Sequence, residues 1–212
     1  MFQPPVFAED RINVMHDLMR AYPFATIVSQ LNGELTADHV PLVLDKANCA
    51  YGTLQGHFAV GNPLFRSADG PIDVLTIFQG PQTYVTPSWY PSKQEHGKVV
   101  PTWNYVVVHA RGTLELNRDP AFLMSHLHAL TDQHESHRET PWSVSDAPDE
   151  FVARQLRGLV GFEIALTDMQ GKWKISQNRP PKDQSGVEKG LAQSGDPDSF
   201  EIARLVAERT KP

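Results

Sequence analysis

The pair Asn32-Gly33 constrains the fold of this chain more than any other short feature. It divides an extended run at residues 24–44, in which apolar side chains recur at short intervals, into two halves. Two-residue hairpin turns that fit the twist of a β-sheet need positive φ angles at both central positions, and Asn and Gly adopt these readily. We therefore predict an antiparallel hairpin here, with further strands beside it.

Extended segments continue for most of the first half of the chain. The β-branched run at residues 99–112 is the clearest of them, and Gly80-Pro81 is a breaker pair that we expect to separate two others. Residues 24–116 therefore predict an antiparallel β region of roughly six strands, and the alternating segment at 160–177 is expected to close it. Short β-rich connections of this kind favour a barrel or a sandwich.

Helices are predicted outside the β region. Asp119 suits an N-cap, and Pro120 suits the first position of the helix that follows. The segment 180–198 is rich in Pro, Gly, Ser and charged residues, so we expect it to be mobile. A chain of 212 residues with 40% hydrophobic content is long enough for one domain, 1–212, in the mainly β class with flanking helices. The predicted helices cover residues 8–22, 119–135, 148–157 and 199–209.

Charge and cysteine content limit the classes of function. Nineteen basic and twenty-five acidic residues give a net charge of −6, without a basic cluster, which argues against strong non-specific binding to nucleic acid. Cys49 is the single cysteine and cannot close an intramolecular disulfide. No apolar run approaches the length of a membrane span. We expect a cytoplasmic protein.

Four segments combine aromatic rings with amide, hydroxyl or cationic groups, each where a strand or loop is expected to end. Such a mixture suits a flat aromatic ligand with a polar edge, because rings supply stacking area while amides donate and accept hydrogen bonds. Aromatic residues at strand ends also serve as plugs of a core or an interface, so the structural alternative stays open. The four segments are residues 56–63, 87–93, 100–105 and 172–179.

The strand that contains VPTWNY presents two different faces. Side chains alternate along a strand, so Thr102 and Asn104 are expected on one face and Trp103 and Tyr105 on the other. Thr102 and Asn104 would then face a ligand, while Trp103 packs beneath it, against a partner chain or in a purely structural role. A similar set of ligand-facing side chains is predicted at Ser88, Trp89 and Tyr90.

Five segments in a fixed order resemble those of the PaiB-type negative transcriptional regulators, which belong to the FMN-binding split-barrel superfamily. They are GHFAVGNP, YVTPSWYPSK, VPTWNYVVVHARG, LTDQHE and KWKISQNR, and the similarity runs from residue 8 to about residue 192. The resemblance implies a six-stranded antiparallel split β-barrel and a homodimer with FMN at the subunit interface. It also implies repression of sporulation and protease genes, as in some bacteria, with DNA as a partner that the charge does not support.

The resemblance extends to single residues. It implies that His57, Phe58 and Asn62 approach the flavin phosphate and that Lys174 is a cation near the phosphate or the pyrimidine edge. Val60 stands where the family usually has Arg, and the loss of such a charge-assisted hydrogen bond typically costs about 1.5 to 3 kcal/mol. The full set of expected flavin-binding residues is His57, Phe58, Asn62, Ser88, Trp89, Tyr90, Thr102, Trp103, Asn104, Lys174, Ser176, Gln177 and Asn178.

The sequence is also compatible with functions other than regulation. A small FMN-dependent oxidoreductase is the main alternative, although no acid or base is evident and we assign no catalytic residue. A haem protein, with His39, His57 or His109 as axial ligand, is a lesser one. A metal site among His126, His128, His134 and His137 lacks further ligands at suitable spacing, so we assign none. No helix-turn-helix pattern marks residues that would contact DNA.

Overall fold

The computed structural model of this protein describes residues 1–46, 50–67 and 70–210. The lone Cys49 lies outside these residues, and so do Ala47 and Asn48 of the sequence Lys46-Ala47-Asn48, which predicts a turn between two extended segments. Eight strands and seven α-helices are present in the part described. The strands are β1 (Ala8–Glu9), β2 (Phe24–Leu31), β3 (Glu34–Pro41), β4 (Val43–Asp45), β5 (Thr53–Ala59), β6 (Ile72–Val85), β7 (Thr102–Asn117) and β8 (Leu159–Lys174). The helices are α1 (Ile12–Ala21), α2 (Pro63–Ser67), α3 (Ser92–His96), α4 (Pro120–Glu135), α5 (Asp149–Leu156), α6 (Pro181–Ala192) and α7 (Pro197–Thr210).

The strands form one sheet in the order β3-β2-β6-β7-β8-β5-β4, with β1 paired to β8. The antiparallel, mainly β class with flanking helices is confirmed. The count of eight exceeds the predicted six because β1 and β4 are short, with two and three residues. The hairpin between β2 and β3 is as predicted: Asn32 and Gly33 have φ angles of 51° and 87°, so both adopt the left-handed conformation of its turn.

The breaker pair Gly80-Pro81 does not end a strand. β6 continues through it, but the buried positions are even-numbered from Val74 to Gly80 and odd-numbered from Pro81 to Val85. A change of phase lets one strand bury opposite faces along its length. The predicted break is therefore replaced by a change in which face is covered.

The chain divides into two compact units, and β6, β7 and β8 contribute residues to both. Unit 1 contains residues 1–15, 79–108 and 170–212, and unit 2 contains 16–78 and 109–169. Since each unit combines segments distant in sequence, neither is a contiguous domain, and the prediction of one domain over 1–212 remains a prediction. In unit 1, α6 packs on α7, and Thr83 of β6 shares a hydrogen bond of 2.7 Å with Ser199 of α7.

The segment 180–198, predicted to be mobile, instead contains α6. Its glycines allow the helix to approach Trp89 closely: a Cβ at Gly190 would lie 2.3 Å from the indole ring, and one at Gly186 would lie 2.0 Å from the Trp89 carbonyl oxygen. Asp183, only 1% exposed, accepts hydrogen bonds from the backbone N–H and the hydroxyl of Ser92. Composition misled the prediction because glycine served helix packing here rather than flexibility.

The remaining helices differ from prediction mainly at their first residues. The first helix begins at Ile12 rather than residue 8, because Ala8 and Glu9 pair with Lys172 and Gly171 of β8. α4 begins at Pro120 as expected, and the Asp119 side chain accepts from the Ala121 N–H. α5 and α7 lie within one or two residues of their predicted bounds.

Candidate functional site

Five of the predicted residues meet in unit 1, where the first residues of β7 lie beside the last residues of β8. The Lys174 Nζ donates hydrogen bonds to the Thr102 Oγ1 and to the Trp103 carbonyl oxygen. The Asn104 Nδ2 donates to the Ser176 Oγ at 2.9 Å. We call Thr102, Trp103, Asn104, Lys174 and Ser176 the Lys174 cluster.

Asn104 is fully buried, yet only part of its amide is paired. Its Oδ1 is buried without a hydrogen-bond partner among the described residues. Ser176, its partner through Nδ2, has a φ of 67°, which is uncommon for a residue other than glycine. Backbone strain and unpaired buried polar atoms both cost stability, and they concentrate at functional sites.

Three positively charged side chains lie close to one another in this part of unit 1. Burial lowers the pKa of Lys174, and the charges of Lys172 and Arg179 lower it further. Lys172 donates to the Phe2 carbonyl oxygen at 3.0 Å, and Arg179 lies over the Tyr90 ring at 4.7 Å from its centre. In the described structure none of the three cations forms a salt bridge with a carboxylate. An electropositive site of this kind favours an anionic ligand.

Two aromatic rings of unit 1, one of them in the Lys174 cluster, are exposed. Trp103 is 47% exposed and Tyr84 is 48% exposed, with an edge-to-face contact of 6.2 Å between their centres. The Trp103 Nε1 donates to the Gln82 Oε1 at 3.3 Å, which helps to fix the indole. Alternation along β7 is as predicted, since Asn104 is buried where Trp103 is exposed. Tyr84 was not selected from the sequence, although the same alternation along β6 exposes it.

The other predicted residues of unit 1 have local roles. Trp89 is held against α6, Tyr90 is buried, and the exposed Ser88 accepts a hydrogen bond from Lys93. The Gln177 amide bonds to backbone groups of Ile175 and Trp173, so it stabilises the end of β8. The side chain of Asn178 is exposed.

The three predicted residues of unit 2 are occupied by contacts within that unit. Phe58 is buried and stacks on Phe162, with 4.4 Å between ring centres. Asn62 donates to Asp38 at 2.7 Å and accepts from the Leu64 N–H at 2.7 Å. That N–H lies in the first turn of α2, so this backbone donor near the segment expected to approach the flavin phosphate is already used by Asn62.

His57 forms a buried pair with His126, a contact that the sequence did not predict. The His57 Nδ1 and the His126 Nε2 are 3.0 Å apart, so one donates and the other accepts. Burial lowers the pKa of both imidazoles, and for His126 burial and the neighbouring His57 lower it to about 4. The pair is therefore neutral near pH 7, and the half-buried His57 is engaged by the buried His126.

The Lys174 cluster, together with Lys172, Arg179 and Tyr84, has groups whose chemistry fits FMN. A phosphate needs cations without acidic partners, the polar edge of the ring system needs amide and hydroxyl groups, and its faces need exposed aromatic rings. The cations are Lys172, Lys174 and Arg179. The amide and hydroxyl groups belong to Asn104 and Ser176, and the exposed aromatic rings belong to Trp103 and Tyr84.

Comparison with protein families supports the same ligand. Residues 1–168 match the family described as "Putative FMN-binding domain". The chain belongs to this family. The match covers most of the chain and includes β1 to β7, together with much of β8.

Relatives with similar sequences span the whole chain. It is 32% identical over 212 residues to the Bacillus subtilis protein named "Protease synthase and sporulation protein PAI 2", covering 100% of this chain and 99% of that one. An uncharacterised protein of Emericella nidulans is also 32% identical, covering 99% of this chain and 97% of its own length. The resemblance to the PaiB type is thereby confirmed.

Solved structures share the fold at lower identity. The FAD and haem binding protein of Mycobacterium smegmatis matches with a TM-score of 0.58 and 19% identity, over 79% of this chain and 73% of that chain. The flavocytochrome Anf3 of Azotobacter vinelandii matches with a TM-score of 0.54 and 13% identity, over 79% and 69% of the two chains. At such identities the likeness concerns the split-barrel fold.

Two features are absent from the described residues. No group of three or more His, Cys, Asp or Glu side chains in the described ranges is arranged to hold a metal ion. Within the same ranges, no helix is long and apolar enough to cross a membrane.

Proposed function

We propose that this protein is a flavin-binding regulator in which the Lys174 cluster, with Lys172 and Arg179, holds FMN. The observation that carries the proposal is that Lys174, which interacts electrostatically with Lys172 and Arg179, contacts Thr102 and the backbone of the exposed Trp103, while none of the three cations has a carboxylate partner among the described residues. Lys174 binds the phosphate or the pyrimidine edge, Ser176 contributes a hydroxyl, and Trp103 stacks. Bound FMN supplies a ring system that accepts and returns electrons.

Asn104 acts as a positioning residue in this proposal. Its amide N–H orients the Ser176 hydroxyl, and its buried oxygen is an acceptor for a donor that the described residues do not supply. The three residues of unit 2 that the resemblance implies, His57, Phe58 and Asn62, have no role in the proposed site because each is already engaged.

We further propose a homodimer, with the exposed Trp103 and Tyr84 at or near the subunit contact, and a role in repressing transcription. The name of the Bacillus subtilis relative supports a link to sporulation and protease synthesis. A net charge of −6 argues against affinity for DNA through phosphate contacts alone. Flavin occupancy would then regulate through the dimer or a protein partner.

The test is a titration of the purified protein with FMN, followed by visible absorption and fluorescence. We expect Lys174→Met to raise the Kd for FMN about 10- to 100-fold, because a hydrogen bond to a charged group contributes about 1.5 to 3 kcal/mol. Lys182→Met is the matched control, since Lys182 lies on the surface in a salt bridge with Glu95. Equal affinities of the two variants would contradict the assignment of Lys174.

Regulation and catalysis are separated by a second pair of measurements. A gel shift with promoter DNA, with and without FMN, tests whether occupancy alters DNA association directly. Steady turnover of NAD(P)H by the FMN-loaded protein would contradict the regulator hypothesis and favour a flavin-dependent oxidoreductase.

A further inference from the structure

A cavity in unit 2, distinct from the Lys174 cluster, has no role in the proposed function. Its volume is about 440 Å³, within the range of small-molecule sites in proteins. It lies beside the first turn of α4, the second half of α5 and the start of β8. Most of its wall is apolar, formed by residues that include Val60, Phe65, Leu123, Leu156, Leu159 and Val160.

The polar groups of this cavity are few and mostly cationic. Arg118 and Arg157 line it, and Asn117 is the third polar side chain. The Arg118 guanidinium lies over the Phe65 ring, 5.1 Å from its centre, and neither arginine forms a salt bridge within the described residues. Asn117 is engaged with Glu163 through a hydrogen bond of 3.4 Å.

The surrounding acidic groups leave the arginines available. No Asp or Glu lines the cavity. Asp119, which follows Arg118 in sequence, uses its carboxylate to cap α4 through the Ala121 N–H. An apolar cavity edged by two exposed guanidinium groups that form no salt bridge with the described residues complements a ligand with one anionic head and an apolar body, because Arg binds carboxylates through paired hydrogen bonds.

We propose that this cavity binds a small monocarboxylate with an apolar tail, such as a medium-chain fatty acid. The tail packs against the apolar wall while Arg118 and Arg157 hold the carboxylate. The cavity is lined by residues of unit 2 alone, whereas the Lys174 cluster lies in unit 1, so octanoate binding is measured without FMN; because Val60 stands where the resemblance implies a contact to flavin phosphate, competition with FMN is part of the test.

The experiment measures binding of octanoate to the full-length protein by calorimetry, with octylammonium as the probe of opposite charge. We expect octanoate to bind and octylammonium to bind at least tenfold more weakly. The double variant Arg118→Met and Arg157→Met, which keeps long apolar side chains, is expected to weaken octanoate binding at least tenfold. The matched control Arg154→Met alters an arginine of α5 that lies over Phe151 and does not line the cavity, so its affinity should be unchanged.

A second variant tests the chamber itself. Ala153→Trp places a large ring in the cavity from an exposed position of α5, and we expect it to abolish octanoate binding while the midpoint of thermal unfolding stays within a few degrees. The proposal is overturned if octanoate fails to bind at millimolar concentration, if the charge of the probe is irrelevant, or if neither substitution weakens binding. It is also overturned if FMN displaces octanoate competitively, because the cavity would then belong to the flavin.

Discussion

The Lys174 cluster of unit 1 and the His57–His126 pair of unit 2 show how differently buried polar groups can be used. In the pair, the His57 Nδ1 and the His126 Nε2 share a hydrogen bond, burial lowers the pKa of both imidazoles, and Phe122 stacks on His126, but the His126 Nδ1 is buried without a partner among the described residues. In the cluster, Ser176 has a left-handed backbone, and among the described residues the Asn104 amide oxygen has no partner and neither Lys174 nor the neighbouring Lys172 and Arg179 forms a salt bridge. The comparison teaches that one unpaired buried atom does not distinguish a ligand site, whereas its coincidence with a strained backbone and with cations that lack acidic partners does.

The largest expected effect separates core aromatics from site aromatics. Phe58→Ala should lower the free energy of unfolding by about 3 to 5 kcal/mol, because it removes a buried ring that stacks on Phe162. Trp103→Ala should cost less than about 1 kcal/mol but raise the Kd for FMN about tenfold, since its ring is half exposed. Urea unfolding and FMN titration check both. A Phe58→Ala protein that is stable but binds flavin weakly would contradict the core role of Phe58 and assign it to the ligand site.

The next effect is the pH dependence that the histidine pair imposes. The pKa of His126 is about 4 in the folded protein and near 6.5 in the unfolded chain, so the unfolded state alone takes up a proton between these values. The contribution is fully present above pH 6.5 and is lost as pH falls towards 4, by an amount on the order of 3 kcal/mol.

This dependence is checked by urea unfolding between pH 4 and pH 7.5. His126→Phe should flatten the curve, because it removes the titrating group while keeping an aromatic ring beside Phe122. His134→Gln, an exposed position on the same helix, is the matched control and should leave the curve unchanged. A stability that rises towards pH 4 would contradict the neutral pair.

The smallest effect on stability is expected at Ser176. Ser176→Gly relieves a positive φ but removes the hydrogen bond from Asn104, two effects of about 1 kcal/mol that oppose each other. The free energy of unfolding should therefore change by less than about 1 kcal/mol, while FMN binds more weakly because a hydroxyl is lost. A large gain in stability with unchanged FMN affinity would show that the strain serves no ligand.

The predictions from sequence succeeded where local chemistry decides the structure. The Asn32-Gly33 turn, the Asp119 cap and the alternation of Trp103 with Asn104 all follow from backbone preferences that short segments carry with them. They failed where the structure of a segment was inferred from its composition but is decided by contacts with distant parts of the chain. The glycines of α6 indicated mobility, yet they are small so that a helix can lie against Trp89.

The sequence by itself determined the antiparallel β architecture and the family, because strand periodicity and the order of motifs are properties of short segments. Only the tertiary structure decided which polar groups are already paired. His57 and Asn62 resemble ligand residues in sequence, but His126 and Asp38, distant in the chain, engage them. Whether a polar atom is free depends on partners that folding brings from elsewhere, and no spacing along the chain encodes that.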